Sequence, residues 1–195
     1  MARIGVLSLQ GDVREHLEMV ASVGATPIAV KTLSGLSSVD GLILPGGEST
    51  TISKLARIFD LFEPLKDAIT GGLPTFGTCA GLILLADRII DGIEGQETFG
   101  GLDVTVQRNA FGHQTDSFET GLSVAGISGD PVKAAFIRAP IIQSAGPLAK
   151  PIASLADGRI VAVRQEAKLG ISFHPEICGE PRMHELFLRE FIQRG

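Results

Sequence analysis

The sequence predicts an α/β fold with a mostly parallel central sheet covered by helices on both faces. In the first half, short apolar runs alternate with segments of helical periodicity, the pattern of buried parallel strands joined by helices. In the second half, alternating runs and a turn signal indicate added antiparallel strands. The chain has 195 residues, 44% of them hydrophobic, enough for a sizeable core. We therefore expect residues 1–195 to form one domain.

The first half is predicted to contain four strands separated by helices. The strands are expected at residues 3–9, 26–31, 41–44 and 73–76. Asp12 and Glu15 have the spacing of a capping box, so a helix is expected to start there and to end near Gly24. Residues 51–70 are predicted to be helical, and Pro64 is suited to starting a second helix within them.

The second half is predicted to add short strands and a final helix. Strands are expected at residues 103–107 and 134–137. Residues 152–155 and 160–163 flank Asp157-Gly158, which predicts a β-hairpin. A last helix is expected after Glu180-Pro181, because Met183, Phe187 and Phe191 are spaced four apart.

The segment Gly77-Thr78-Cys79-Ala80-Gly81 lies between a predicted strand and a helix-like apolar run. Glycines on both sides of a cysteine permit the tight turn of a nucleophile elbow. The start of a helix favours a thiolate, and its free backbone N–H groups can stabilise an oxyanion. Because most free cysteines are inert core residues, this segment alone leaves catalysis and packing equally open.

A second motif, Phe173-His174-Pro175-Glu176, closes the apolar run at residues 169–173. The proline favours an extended backbone, in which side chains two residues apart point to the same side. His174 and Glu176 are therefore expected to lie side by side. With Cys79 they would supply a nucleophile, a base and an orienting carboxylate. Because ligands bind beyond the carboxyl ends of strands in open α/β sheets, we expect both motifs and the loop at residues 45–49 to meet at one edge.

Composition excludes several other functions. The net charge is −5, and the chain has neither Trp nor Tyr and no basic cluster, which argues against a nucleic-acid partner. Neither a signal peptide nor an apolar run long enough to span a membrane is evident. The two cysteines do not make a disulfide framework, so a cytoplasmic location is expected. Neither a metal nor another cofactor is expected, because no compact cluster has the spacing of metal ligands.

Further motifs resemble the class I triad glutamine amidotransferases, and within them the glutaminase subunits of pyridoxal 5′-phosphate synthase. The resemblance covers nearly the whole chain. Besides the cysteine and histidine motifs, it rests on Leu9-Gln10-Gly11-Asp12, Leu44-Pro45-Gly46-Gly47-Glu48-Ser49-Thr50-Thr51, Arg108-Asn109-Ala110-Phe111-Gly112 and Phe136-Ile137-Arg138-Ala139-Pro140. His113 stands where this family more often has arginine, and Cys178 where a small hydroxyl residue is usual.

The resemblance implies a three-layer flavodoxin-like class I glutamine amidotransferase fold and hydrolysis of L-glutamine to L-glutamate and ammonia. Cys79, His174 and Glu176 would form the catalytic triad. Gly46, Gly47 and Ala80 would form the oxyanion hole. Glutamine would be bound by Gly47, Glu48, Ser49, Arg108, Ile137 and Arg138. The partner would be the pyridoxal 5′-phosphate synthase subunit, in a complex of twelve glutaminase and twelve synthase subunits.

Three other interpretations stay open at this point. The chain could be the glutaminase subunit of imidazole glycerol phosphate synthase, although Leu9-Gln10-Gly11-Asp12 and the motif starting at Arg108 argue against it. It could be a cysteine hydrolase of similar fold that acts on a substrate other than glutamine. It could also be a flavodoxin-like binding module without catalysis, in which Cys79 would be no more reactive than Cys178.

Overall fold

The computed structural model describes residues 1–92, 95–108 and 117–193. The strands in this part of the chain are β1 (Arg3–Leu7), β2 (Thr26–Val30), β3 (Gly41–Leu44), β4 (Thr75–Thr78), β5 (Ala86–Ile90), β6 (Leu102–Gln107), β7 (Phe118–Leu122), β8 (Val132–Phe136), β9 (Ile141–Ala145), β10 (Lys150–Ser154), β11 (Ile160–Gln165) and β12 (Lys168–Ile171). The helices are α1 (Val13–Ser22), α2 (Leu33–Leu36), α3 (Ser49–Ile58), α4 (Phe62–Thr70), α5 (Ala80–Leu85) and α6 (Arg182–Phe187), which continues as a π-helical turn over Leu188–Ile192.

A ten-stranded sheet runs through the molecule in the order β2-β1-β3-β4-β12-β11-β9-β6-β5, with β10 paired to β11. The strands from β2 to β12 in this order are parallel to one another. Beyond β12 the pairs β11–β12, β10–β11, β9–β11 and β6–β9 are antiparallel, whereas β5 and β6 are parallel. The expected mostly parallel core with added antiparallel strands is therefore confirmed.

Two hydrophobic clusters cover the two faces of this sheet. Alternate residues of a strand point to opposite faces, and β3 shows this directly. Ile43 packs in one cluster with residues of α1 and α6, whereas Leu42 and Leu44 pack in the other with residues of α3, α4 and α5. The result is a three-layer arrangement of helices, sheet and helices.

Four chain segments follow neighbouring parallel strands and therefore start at the same edge of the sheet. The segments after β1, β3, β4 and β12 all begin at the carboxyl ends of neighbouring strands. A separate two-stranded sheet, β7–β8, lies close to the last of these, since the Ala135 carbonyl accepts a hydrogen bond of 2.8 Å from the His174 amide. This contact fixes the backbone of His174 at the sheet edge.

Several element boundaries differ from the sequence predictions. The fourth strand was expected at residues 73–76 but spans Thr75–Thr78, so the strand extends up to the cysteine. The predicted helix at residues 51–70 is two helices, α3 and α4, and α4 begins at Phe62, two residues before the expected start at Pro64. Among the helices of residues 1–92, 95–108 and 117–193, none combines the length and apolarity needed to cross a bilayer.

Candidate active site

Cys79 occupies a sharp turn between β4 and α5. Its φ of 50° and ψ of −102° lie in a region that residues with a Cβ rarely adopt. The flanking glycines make the turn possible, because a Cβ on Gly81 would overlap the Leu44 carbonyl oxygen and one on Gly77 would lie 2.6 Å from the Gly81 backbone. The tight turn expected from the sequence is therefore present. Cys79 is 7% exposed, within a cavity at the sheet edge.

His174 joins the two remote motifs. Its Nδ1 atom lies 2.7 Å from Glu176 Oε1 and 3.3 Å from Asp12 Oδ2. Cys79 and His174 line the same cavity, and the Cys79 side chain acts to raise the pKa of His174. His174 and Glu176 are both buried. The structure thus brings the two remote motifs together, with Cys79 and His174 at one cavity and Glu176 bonded to His174.

The surroundings of His174 favour its cation. Burial opposes the charged ring, but hydrogen bonds to Asp12, Cys79 and Glu176 outweigh burial and raise the pKa of His174 to about 12. Burial raises the pKa of Glu176, although its hydrogen bond to His174 acts in the opposite direction. The site therefore stabilises a protonated His174 ring beside the Cys79 sulfur. A neighbouring imidazolium is one of the groups that activate a cysteine nucleophile.

The loop after β3 lies directly against this series. A Cβ on Gly46 would overlap His174 Cε1 and lie 2.7 Å from Asp12 Oδ2. Gly47 has a φ of 152°, and a Cβ there would lie 2.6 Å from Gln10 Oε1. The Gly46 carbonyl accepts a hydrogen bond of 3.0 Å from the Asp12 amide, and Gln10 Oε1 accepts one of 2.8 Å from the Glu48 amide. Glycine is therefore required at both positions, because a side chain at either one would collide with neighbouring atoms.

A cavity of about 460 Å³ opens above the cysteine. This volume suits a small-molecule ligand. All six residues expected to bind glutamine line the cavity, whereas Glu176 lies behind His174 and supports the ring from within the core. The lining residues are Gln10, Gly11, Asp12, Gly47, Glu48, Ser49, Cys79, Ile83, Arg108, Ile137, Arg138, His174 and Ile177.

Charged side chains form an ordered network along one wall of the cavity. Arg108 donates to Glu48 Oε1 at 3.1 Å and to Gln96 Oε1 at 2.7 Å, and the Gln96 amide donates to Ser49 Oγ at 3.0 Å. Burial raises the pKa of Glu48, but hydrogen bonds from Thr50 and Thr51 outweigh this effect and lower it to about 2. The wall therefore presents the Arg108 guanidinium beside a Glu48 carboxylate that is ionised at neutral pH.

Sequence reasoning missed several residues at or near this site. Asp12 precedes α1 but makes no side-chain cap hydrogen bond, so the predicted capping box is wrong, and its carboxylate faces His174 instead. Gln96 carries no motif of its own and becomes visible only through its bonds to Ser49 and Arg108. His113 and residues 109–112 of the expected motif lie outside the described residues.

Asp12, His174 and Glu176 are the one group of three side chains in the described residues whose potential metal-ligand atoms lie within 4.8 Å of one another. His174 Nδ1 faces both carboxylates, at 2.7 Å and 3.3 Å. A cation at this position would displace the contacts that hold the imidazole. The donor set therefore fits an imidazolium between two carboxylates better than a metal ion.

The chain is similar in sequence to known proteins. A model of the SNO glutamine amidotransferase family matches residues 6–193. The chain is 56% identical over 186 residues to a protein of Leifsonia xyli subsp. xyli named pyridoxal 5′-phosphate synthase subunit PdxT, covering 95% of this chain and 94% of that protein. A protein of the same name from Clavibacter sepedonicus is 56% identical over 185 residues, which cover 95% of this chain and 88% of that protein.

A solved structure titled as a glutamine amidotransferase superposes with a TM-score of 0.88 at 43% identity, covering 95% of this chain and 97% of that one. The match of the family model to nearly all of the chain and the identity to these relatives confirm the resemblance that the sequence motifs indicate. The chain therefore belongs to the SNO glutamine amidotransferase family.

Proposed function

We propose that this chain hydrolyses the side-chain amide of L-glutamine through a triad of Cys79, His174 and Glu176. The observation that carries the proposal is that Cys79 and His174 line one cavity, while Glu176 Oε1 lies 2.7 Å from His174 Nδ1 behind the ring. Family membership supports the reaction class, and the geometry of the site supports the following roles. Cys79 is the nucleophile, His174 carries the proton, and Glu176 orients the ring.

The reaction proceeds in two steps on these groups. The Cys79 thiolate attacks the amide carbon, the carbon–nitrogen bond breaks, and the His174 imidazolium supplies the proton that completes ammonia. The neutral imidazole then removes a proton from water as the oxygen of that water attacks the γ-glutamyl thioester. The carbon–sulfur bond breaks, which returns the thiolate and the imidazolium and releases glutamate.

The tetrahedral intermediates of both steps carry an oxyanion. The Ala80 amide, in the first turn of α5, has no acceptor within its own helix and is one proposed donor. The second is the peptide between Gly46 and Gly47. In this structure the carbonyl of that peptide is engaged by the Asp12 amide. We infer that docking of the synthase subunit reorients this peptide, since glycine allows a wide range of backbone angles.

The wall of the cavity is proposed to bind the amino-acid end of glutamine. Arg108 and Arg138 would hold the α-carboxylate, because a guanidinium can bind a carboxylate through two parallel hydrogen bonds. Gly47, Glu48, Ser49 and Ile137 complete the glutamine site. All of these residues line the same cavity as Cys79.

Replacing Arg108 by methionine is expected to raise KM for glutamine about 10- to 100-fold and to change kcat much less, because a charge-assisted contact to the substrate is lost. Steady-state glutamate release measures both constants. Arg88→Met is the matched control, since Arg88 pairs with Asp103 and does not line the cavity. Equal KM values in the two variants would remove Arg108 from the glutamine site.

The names of the relatives indicate the destination of the ammonia. Both are pyridoxal 5′-phosphate synthase subunits, and neither is named for imidazole glycerol phosphate synthesis. We propose that the chain delivers ammonia to a synthase subunit that makes pyridoxal 5′-phosphate, in an assembly of twelve glutaminase and twelve synthase subunits. The mass of the purified complex tests this stoichiometry, and co-purification tests the choice of partner.

Glutamate release with and without the synthase subunit tests the proposed gating. Turnover is expected to rise when the synthase is added, because the completed oxyanion hole then stabilises the transition state; one such donor is worth ~10²–10³ in rate. Serum albumin at the same concentration is the control for non-specific stabilisation. Unchanged turnover at saturating synthase would exclude a partner-induced oxyanion hole.

Two further proposals concern the protein as a whole. We infer that residues 1–195 form one glutaminase domain, because the ten-stranded sheet takes strands from both halves of the chain and its edge carries the candidate site. We also propose a cytoplasmic location, because a thiol nucleophile must stay reduced and both cysteines are free.

A further inference from the structure

Two buried histidines lie behind the triad and are not used by the proposed chemistry. His16 is on α1 and His184 on α6, and their side chains are 0% and 2% exposed. His16 Nδ1 lies 3.0 Å from His184 Nε2. His16 Nε2 lies 3.0 Å from Thr78 Oγ1 and 3.6 Å from Glu176 Oε1. A line of polar atoms therefore runs from α6 through α1 to the carboxylate that supports His174.

Both histidines are neutral in the folded protein. Burial lowers the pKa of His184 to about 3. Burial above all, and then the repulsion that a charged ring at His184 or His174 would exert, lowers the pKa of His16 well below its ordinary value. Each ring consequently carries a single N–H at neutral pH, on either Nδ1 or Nε2.

The contacts of the two rings select one arrangement of these protons. If His16 carried its proton on Nδ1, it would donate to His184 Nε2, and the proton of His184 would lie on Nδ1. That atom is buried and has no hydrogen-bond partner among the described residues, and a buried N–H without an acceptor is costly. The lone pair of His16 Nε2 would also face the Glu176 carboxylate. The opposite arrangement, with both protons on Nε2, avoids both penalties.

We propose that His16, held in its Nε2–H form by His184, is a positioning residue for the catalytic carboxylate of Glu176. This inference rests on the proposed function of the triad. The His16 N–H donates to Thr78 Oγ1. At 3.6 Å, the contact with Glu176 Oε1 is too long for a hydrogen bond, so His16 acts on it as an oriented dipole. That dipole favours the ionised carboxylate.

The carboxylate has few other sources of stabilisation. Glu176 Oε2 is buried and has no hydrogen-bond partner in the described part of the chain. The polar contacts of the carboxylate are those of Oε1 with His174 at 2.7 Å and with His16 at 3.6 Å, together with a hydrogen bond from the backbone of Glu176 itself. Burial raises the pKa of Glu176, so removing the His16 dipole is expected to raise that pKa further. The other titratable groups near this pair are Asp12, Cys79, Cys178 and His184.

The test is the pH dependence of kcat/KM for glutamine hydrolysis in the complex with the synthase subunit. His16→Phe keeps a planar ring but removes the N–H. We expect the acid-side midpoint to move up by about one pH unit, and kcat/KM to fall about tenfold at pH values below the original midpoint, since one unit corresponds to a tenfold change in proton affinity. His16→Gln, which keeps an N–H donor, is expected to restore part of the activity and of the shift.

Val20→Ala is the matched control, because Val20 is buried on the same helix outside this polar line. It is expected to lower thermal stability and to leave the acid-side midpoint unchanged. If His16→Phe also left the midpoint unchanged while lowering stability, His16 would be a packing residue and the proposal would be wrong.

A measurement on the unaltered protein covers the case in which His16→Phe does not fold. The ¹⁵N chemical shifts of the His16 ring report which nitrogen carries the proton. We expect the Nε2–H form, and an Nδ1–H form would overturn the proposal. This readout does not depend on activity. Absence of glutamate release from the unaltered protein with its synthase would instead contradict the proposed function.

Discussion

Replacing Cys79 by alanine is expected to lower glutamate release from glutamine by roughly 10⁴–10⁶-fold, because the thioester can no longer form. Both residues carry a Cβ, so the substitution leaves the backbone requirement at φ 50° unchanged. The variant should therefore fold and still bind the synthase subunit. Glutamate release by the complex, followed with a coupled dehydrogenase assay, measures the loss.

The second cysteine provides a matched control. Cys178 is partly buried, four positions after His174 in the sequence, and burial raises the pKa of its thiol. A higher thiol pKa means less thiolate at neutral pH and lower reactivity. Cys178→Ala should thus retain near-normal turnover. Loss of activity in this variant, or survival of activity in Cys79→Ala, would contradict the assignment of the nucleophile.

Replacing Gly46 by alanine is expected to lower turnover by ~10²–10³-fold, the scale of losing one oxyanion donor. The new methyl group would overlap His174 Cε1 and crowd Asp12 Oδ2. Either the imidazole leaves Cys79 or the loop after β3 moves away from the oxyanion. Both responses damage the chemistry and leave the core intact, so kcat should fall while the melting temperature changes little.

Gly35→Ala is the control for this experiment. Gly35 lies in α2, and a Cβ there would meet its nearest neighbour at 3.5 Å, an ordinary contact. We expect unchanged turnover in this variant. Normal turnover in Gly46→Ala would show that the loop after β3 has no need to approach His174 so closely, and the proposed oxyanion hole would lose its main support.

The sequence predicted the parallel part of the fold well because its elements have strong local signals. The strand Gly41–Leu44 is an uninterrupted apolar run followed by a Pro-Gly-Gly loop, and its boundaries were predicted correctly. By contrast, α5 and β5 follow each other directly at Leu85 and Ala86. A continuous apolar run with no turn residue does not reveal where a helix becomes a strand.

The site residues that could be predicted from the sequence are those that come directly after a predicted strand. Cys79 and His174 stand directly beyond apolar runs, which is where ligands bind in such sheets. Asp12 was misassigned because its spacing to Glu15 also suits a capping box, and only the tertiary structure shows its carboxylate facing His174. No sequence motif marks His16 or His184, because their approach to each other and to Glu176 depends on the packing of α1 and α6.

We expect the Cys79 sulfur to be the one nucleophile that attacks the glutamine amide carbon. The complex can be exposed to a glutamine analogue in which an electrophilic diazoketone replaces the amide, and the labelled peptides identified by mass spectrometry. We expect the label on Cys79 alone, with Cys178 unlabelled. Excess glutamine should suppress the labelling of Cys79. Equal labelling of both cysteines, or an adduct on Cys79 that glutamine fails to suppress, would contradict this account.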